Sequence, residues 1–218
     1  MSGDMLSFVL LTLSSIIIVV NPLAATLLFV SLTEAMDEVE KMTVAAIACR
    51  YALAILLTFA IAGGLILNLF GITLEAFRIA GGLLLFGIGM EMVYAKTSRT
   101  KISATEKYES QDADDVAVMP LAIPMIAGPG AITTTIVLTN EATAVHPLAV
   151  AIVIAAILLT IGIIYLMFSR SEIIVERIGQ REYRAVNRLM GMLLIAIAVQ
   201  FVITGVKTAF PLLGGAGL

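Results

Sequence analysis

Charge is what this 218-residue sequence has least of: only 13% of its residues are Asp, Glu, Lys or Arg. An average soluble domain carries about twice that share, so a soluble globular protein is excluded first. Tryptophan is absent, and there is one cysteine, Cys49, and one histidine, His146. A single thiol allows no internal disulfide, and Cys49, set in an apolar run, reads as a small buried side chain. His146 sits beside Pro147 in a short polar gap and reads as a loop residue rather than a ligand. No cluster of residues has metal-site spacing, so neither metal nor cofactor is expected. There is no phosphate-binding glycine loop, no Ser/His/Asp arrangement and no basic tract. A nucleotide-driven pump, an enzyme and a nucleic-acid binder are therefore not expected.

What the sequence has is hydrophobicity. Sixty per cent of the residues are apolar and the mean hydropathy is +1.06. The apolar residues form six blocks, at about 5–33, 43–69, 76–95, 117–139, 147–168 and 189–210. Roughly 20 residues cross a bilayer as a helix, so the pattern predicts an all-α membrane protein with six transmembrane helices. The N-terminal block lacks a basic start and is too long for a signal peptide, so it reads as a retained first span. Blocks one, two and four exceed the length of a straight span and must tilt, kink or double back.

The basic residues are not evenly placed. Lys41, then Lys96, Arg99, Lys101 and Lys107, then Arg170, Arg177, Arg181, Arg184 and Arg188 fall in the first, third and fifth gaps. The other gaps and the tails hold only Arg78 and Lys207, with Arg50 inside the second span. The positive-inside rule puts the basic gaps in the cytoplasm and both termini outside, in a plasma (inner) membrane. The polar stretch "KTSRTKISATEKYESQDADD" divides the chain into residues 1–95, a cytoplasmic linker 96–116, and residues 117–218. In the fifth gap, "SEIIVERIG" has the signals of a short surface helix.

Three spans on each side of the linker make the second half inverted relative to the first, an arrangement common among secondary transporters. Two matches support it. "NPLAAT" at 21–26 aligns with "GPGAIT" at 128–133, and "RIAGGLL" at 78–84 with "RLMGMLL" at 188–194. The expected architecture is thus two inverted three-helix repeats with broken helices at Asn21-Pro22 and Gly128-Pro129-Gly130.

A proline inside a helix removes a donor and frees a carbonyl. Unpaired backbone groups are tolerated at membrane depth only where they are buried in protein or line a cavity. The free N–H groups of one half-helix attract anions and the free carbonyls of the other attract cations. An amino acid zwitterion carries one charge of each kind. Asn21, Pro22, Thr26, Gly128, Pro129, Gly130, Thr133 and Thr134 are therefore the candidate substrate-binding residues. Ser14, Ser15 and Thr135 also flank the breaks. The plainer reading is that such hydroxyls bond freed carbonyls within kinked helices. Arg50 and Glu91 lie at similar depth, about 10 and 7.5 Å inside the basic ends of their spans, which allows a pair. Snorkelling to the interface is the structural alternative. Gln200 on the last span either joins the site or links helices.

"NPLAATLLFVSLT", "RIAGGLLLFGIGMEM", "PLAIPMIAGPGAITT" and "RLMGMLLIAIAVQFVITG" resemble the MarC family of integral membrane proteins along essentially the whole chain. The family includes members described as small neutral amino acid transporters. The resemblance implies transport of glycine, alanine or similar solutes, with the family's asparagine-proline motif at Asn21 and Pro22 and its second break at Gly128, Pro129 and Gly130. A secondary transporter would draw on a sodium or proton gradient. The competing reading is a membrane scaffold or regulator, in which the breaks are mere kinks. Sequence leaves the oligomeric state open.

Overall fold

A computed structural model describes residues 2–94, 113–145, 149–177 and 180–210, and the observations below concern those residues. Their regular structure is entirely helical: α1 (Ser2–Val20), α2 (Pro22–Leu32), α3 (Glu38–Leu69), α4 (Leu74–Tyr94) and α5 (Ala113–Val116) come first. A π-wound segment (Ala117–Ile126) follows, then α6 (Pro129–Val145), α7 (Val150–Ser169), α8 (Ser171–Arg177) and α9 (Gln180–Ala209). Five stretches are long and apolar enough to span a membrane, α1 and α2 counting as one, and the pair Asp114–Ile126 and Pro129–Ala144, bent by 53°, makes a sixth. His146 and most of the expected linker lie outside the described residues. The linker's last four residues form α5.

Local chemistry sets the ends. Helix α3 starts at Glu38, ahead of its apolar block, because Asp37 and Glu40 form a capping box. Glu40 N–H donates to Asp37 Oδ1 at 2.8 Å, and Asp37 N–H donates to Glu40 Oε2 at 3.1 Å. Each bond fills a donor that a bare helix start leaves free. The helix ends where Gly71 takes φ 66°, a conformation that disfavours any side chain. The fifth gap yields the expected short helix, α8. It is tied to α3 by Lys41 Nζ and Glu172 at 2.7 Å.

Helix α6 is the centre of the assembly. It packs on α1, α3, α4 and α7, and every residue from Thr133 to Leu138 is buried. Small residues let its neighbours approach. The side chain of Thr133 fills the space over Gly81 of α4, and a Cβ on Gly63 of α3 would lie 2.5 Å from Ile136 Cγ1. One large core joins α1, α2, α3, the π-wound segment, α6 and α7 around Phe29, Leu56, Leu121, Leu138 and Ile157. Phe29 stacks on Phe168, with ring centroids 4.3 Å apart.

Helices α4 and α9 form an antiparallel pair in contact along their length. A Cβ on Gly82 would meet the Ala198 carbonyl oxygen at 2.8 Å, and one on Gly89 the Gly191 oxygen at 3.0 Å. At the far end, one on Gly205 would meet the Glu75 oxygen at 3.1 Å. Backbones this close leave no room for a methyl group, the usual way for helices to associate in lipid. The pair packs on α6 through α4 and on α1 through α9.

Candidate functional site

The first break is one residue long. Asn21 adopts φ 51° and ψ 73°, the only described non-glycine residue with positive φ. Asparagine tolerates this conformation better than other side chains. Pro22 follows at the first position of α2, where its missing N–H matters least. Ile18 C=O loses its usual donor because Pro22 has none, and Ala24 N–H turns to Asn21 Oδ1 at 3.3 Å. The Asn21 amide nitrogen points across to Met92 Sδ of α4 at 3.9 Å.

The second break is wider than the sequence suggests. A straight fourth span up to Gly128 is not what forms. Met119 and Ile123 are extended, each immediately before a proline, which disfavours the helical region for the residue ahead of it. Ala127 N–H reaches five residues back, to Ala122 C=O at 2.9 Å. Gly128 is non-helical, its C=O accepts from Ile132 N–H at 3.0 Å, and α6 begins at Pro129.

The two breaks lie side by side. A Cβ on Gly130 would lie 3.5 Å from Val19 Cγ1, two residues before Asn21, and 2.6 Å from Leu85 Cδ2. Around that meeting point the predicted residues divide. Asn21, Pro22, Gly128, Gly130, Thr133 and Thr134 are buried, and Pro129 is exposed. Both glycines are covered. The Pro124 carbonyl closes over Gly128, and the side chains of Leu85 and Val19 cover Gly130. Thr26 Oγ1 donates to Pro22 C=O at 2.8 Å, the plain back-bonding role. Thr134 Oγ1, one turn beyond Gly130, is buried with no hydrogen-bond partner. Such orphans are rare in protein interiors. Thr12 Oγ1 on α1 shares this condition, and sequence reasoning missed it because nothing in "LTLSS" separates one hydroxyl from the next.

The remaining candidates divide by burial. Ser15 is buried on α1, but Ser14 is exposed and bonds Leu11 C=O at 3.1 Å. Thr135 is buried on α6. Gln200 is exposed and donates to Thr204 Oγ1 on its own helix at 3.1 Å. Arg50 and Glu91 do not pair: both are exposed, on α3 and α4, which each pack on α6 and not closely on each other. Among the described residues, an ion pair inside the bundle forms elsewhere. Arg78 Nη2 on α4 meets Glu141 Oε1 on α6 at 3.0 Å, with Arg78 buried, Glu141 37% exposed and Arg78 Nε unpartnered. The signal was present, since Arg78 and Glu141 carry charge in gaps that have little of it. Only the packing of α4 on α6 brings them together.

Long apolar helices, a bent pair and internal breaks define a multi-pass integral membrane protein. The model of the MarC family of integral membrane proteins matches residues 6–210, and the chain belongs to that family. A UPF0056 membrane protein of Methanocaldococcus jannaschii is 43% identical over 204 residues, covering 94% of this chain and 98% of the relative. One from Bacillus subtilis is 36% identical over 211 residues, covering 96% and 99%. One from Pyrococcus abyssi is 38% identical over 194 residues, covering 88% and 90%. No solved structure matches the chain.

Proposed function

We propose that the protein is a secondary transporter of small neutral amino acids such as glycine and alanine, driven by a sodium or proton gradient across the plasma membrane. One observation carries the reading. Two helix breaks abut at Val19 and Gly130, and the buried Thr134 hydroxyl beside them lacks a partner. Paired breaks in a bundle are where transporters of this general design hold substrate. Asn21, Pro22, Gly128, Pro129 and Gly130 would offer backbone dipoles to the carboxylate and ammonium groups, with Thr26, Thr133 and Thr134 beside them. Leu85 fills the space over Gly130 and would move aside when substrate binds.

An inverted repeat is part of the proposal, and the neighbour pattern supports it. Helix α3 packs on the π-wound segment and on α6, as α7 packs on α1 and on α2. Helices α3 and α7 also pack on each other, as do α4 and α9. The α4–α9 pair leans on α1 and α6, while α2 and the π-wound segment are not among its main neighbours. In an alternating-access cycle this would be a state closed on the side of α1 and α6. The basic gaps assign the opposite side to the cytoplasm, with both termini outside.

The test is uptake of labelled glycine or alanine into liposomes containing the purified protein, with and without sodium or proton gradients. Uptake above that of empty liposomes, strongly lowered by the isosteric Thr134→Val, is expected. Uptake equal to that of empty liposomes under every gradient would refute the proposal.

A further inference from the structure

Arg50 and Glu91 are left unexplained by the site. Their common depth can be read from the packing on α6. Gly63 of α3 is level with Ile136, so the level of Pro129 falls near Leu56. Gly81 of α4 is level with Thr133 and Leu85 with Gly130, so the same level falls near Leu85 and Phe86. At 1.5 Å per residue, Arg50 and Glu91 both lie about 9 Å beyond that level, on the side away from α6. The hydrocarbon half-thickness is about 15 Å. With Pro129 near the middle of the span, both charges lie within the apolar layer, and both face outward from the monomer.

Each charge heads a matched outward stripe. On α3, Arg50, Ala54 and Ile61 are exposed at helical spacing on the face opposite the buried Ala52, Leu56 and Gly63. On α4, Ala80, Gly87 and Glu91 are exposed, and a Cβ on Gly87 would meet nothing within 4 Å. Run antiparallel, the stripes interlock: Arg50 lies opposite Glu91, Ala54 opposite Gly87, and Ile61 opposite Ala80. Charge meets opposite charge, and small or large residues meet small ones, as close helix contact in lipid requires. A lone charge facing hydrocarbon is disfavoured, and a pair is the usual remedy.

We propose that a second copy of this chain covers this surface, the α3 face of one copy meeting the α4 face of the next, with Arg50 of one paired to Glu91 of the other. Such a contact closes as a two-fold dimer or a small ring. It is independent of what the protein transports. Arg50 also ends a shallow groove along α3 lined by Glu38, Val39, Met42 and Thr43, so the rival occupant is an anionic phospholipid.

The test uses the full chain with Cys49→Ala in phospholipid nanodiscs. Copies carrying Ala54→Cys and copies carrying Gly87→Cys, differently tagged, are co-expressed and oxidised. A disulfide joining the two tags is expected, with none between copies of one variant. Arg50→Glu or Glu91→Arg alone should lower the cross-linked fraction at least tenfold, and the two reversals combined in every chain should restore it. If a reversal fails to fold, Arg50→Gln is used, with the same tenfold loss expected. The proposal is overturned by an absence of cross-linking, or by cross-linking indifferent to charge reversal. It is equally overturned by a monomer that retains an anionic phospholipid in native mass spectrometry, lost with Arg50→Gln but not with Glu91→Gln.

Discussion

Removing either partner of the Arg78–Glu141 pair should be costly, and unequally so. The ions meet at 3.0 Å, but their surroundings differ: the Arg78 side chain is 8% exposed and that of Glu141 is 37% exposed. Breaking a buried ion pair typically costs 3–5 kcal/mol, mainly because the surviving charge is left buried without a partner. Glu141→Leu leaves such a charge. The Arg78 Nε already lacks a partner. A loss of about 3 kcal/mol, the lower end of that range given the half-open carboxylate, is expected. Arg78→Leu instead leaves a carboxylate that reaches solvent and places a hydrophobic side chain in the vacated space. A loss of about 1 kcal/mol is expected there, with the double replacement close to it. The assay is reversible unfolding in mixed detergent micelles with increasing dodecyl sulfate, applied to wild type, both single variants and the double variant. The coupling between the sites should be about 3 kcal/mol. An Arg78→Leu variant less stable than Glu141→Leu, or losses that simply add, would refute the reasoning.

Asn21→Gly keeps the positive φ and loses the side-chain acceptor for Ala24 N–H, a matter of a few tenths of a kcal/mol, together with the weak contact of the amide with Met92 Sδ. Asn21→Ala adds the left-handed penalty and should be worse by about 1–2 kcal/mol in the same unfolding assay; equal losses would contradict this. Gly128→Ala drives a methyl into the Pro124 carbonyl, whereas Gly130→Ala meets first the mobile end of Leu85. Leu85→Val should therefore rescue Gly130→Ala and not Gly128→Ala, as read by folded yield and melting temperature. The hydrogen bond from Lys41 holds the Glu172 carboxyl below the usual carboxylate range. A depressed pKa stabilises the fold above the unfolded value of about 4.3 and loses that contribution as pH falls through the folded value. Both groups are at the surface, so the effect is small and weakened by salt. The melting difference between wild type and Glu172→Gln should be small at pH 7 and vanish near pH 3; a difference that grows on acidification would count against it.

Composition alone determined the class of this protein. Residues this apolar in blocks this long are stable as helices in a bilayer, whichever neighbours they find. The breaks were equally legible, because proline and glycine act on the backbone locally. Asn21 before Pro22 and Gly128 before Pro129 end their helices whatever surrounds them. The capping residues at Asp37 and Glu40 likewise set a boundary within one turn. What the sequence did not determine is which side chains face each other. The prolines at 120 and 124 turned the approach to the second break into a π-wound segment, because Met119 and Ile123 are extended and no α-helical ladder runs through them. Arg50 and Glu91 share a depth, yet their helices pack on α6 and not closely on each other, and both side chains face outward. Arg78 found Glu141 because Gly81 lets α4 close against Thr133 of α6 one turn away. Depth along a helix follows from counting residues. Facing across helices depends on packing between segments distant in sequence, and only the tertiary structure decides it.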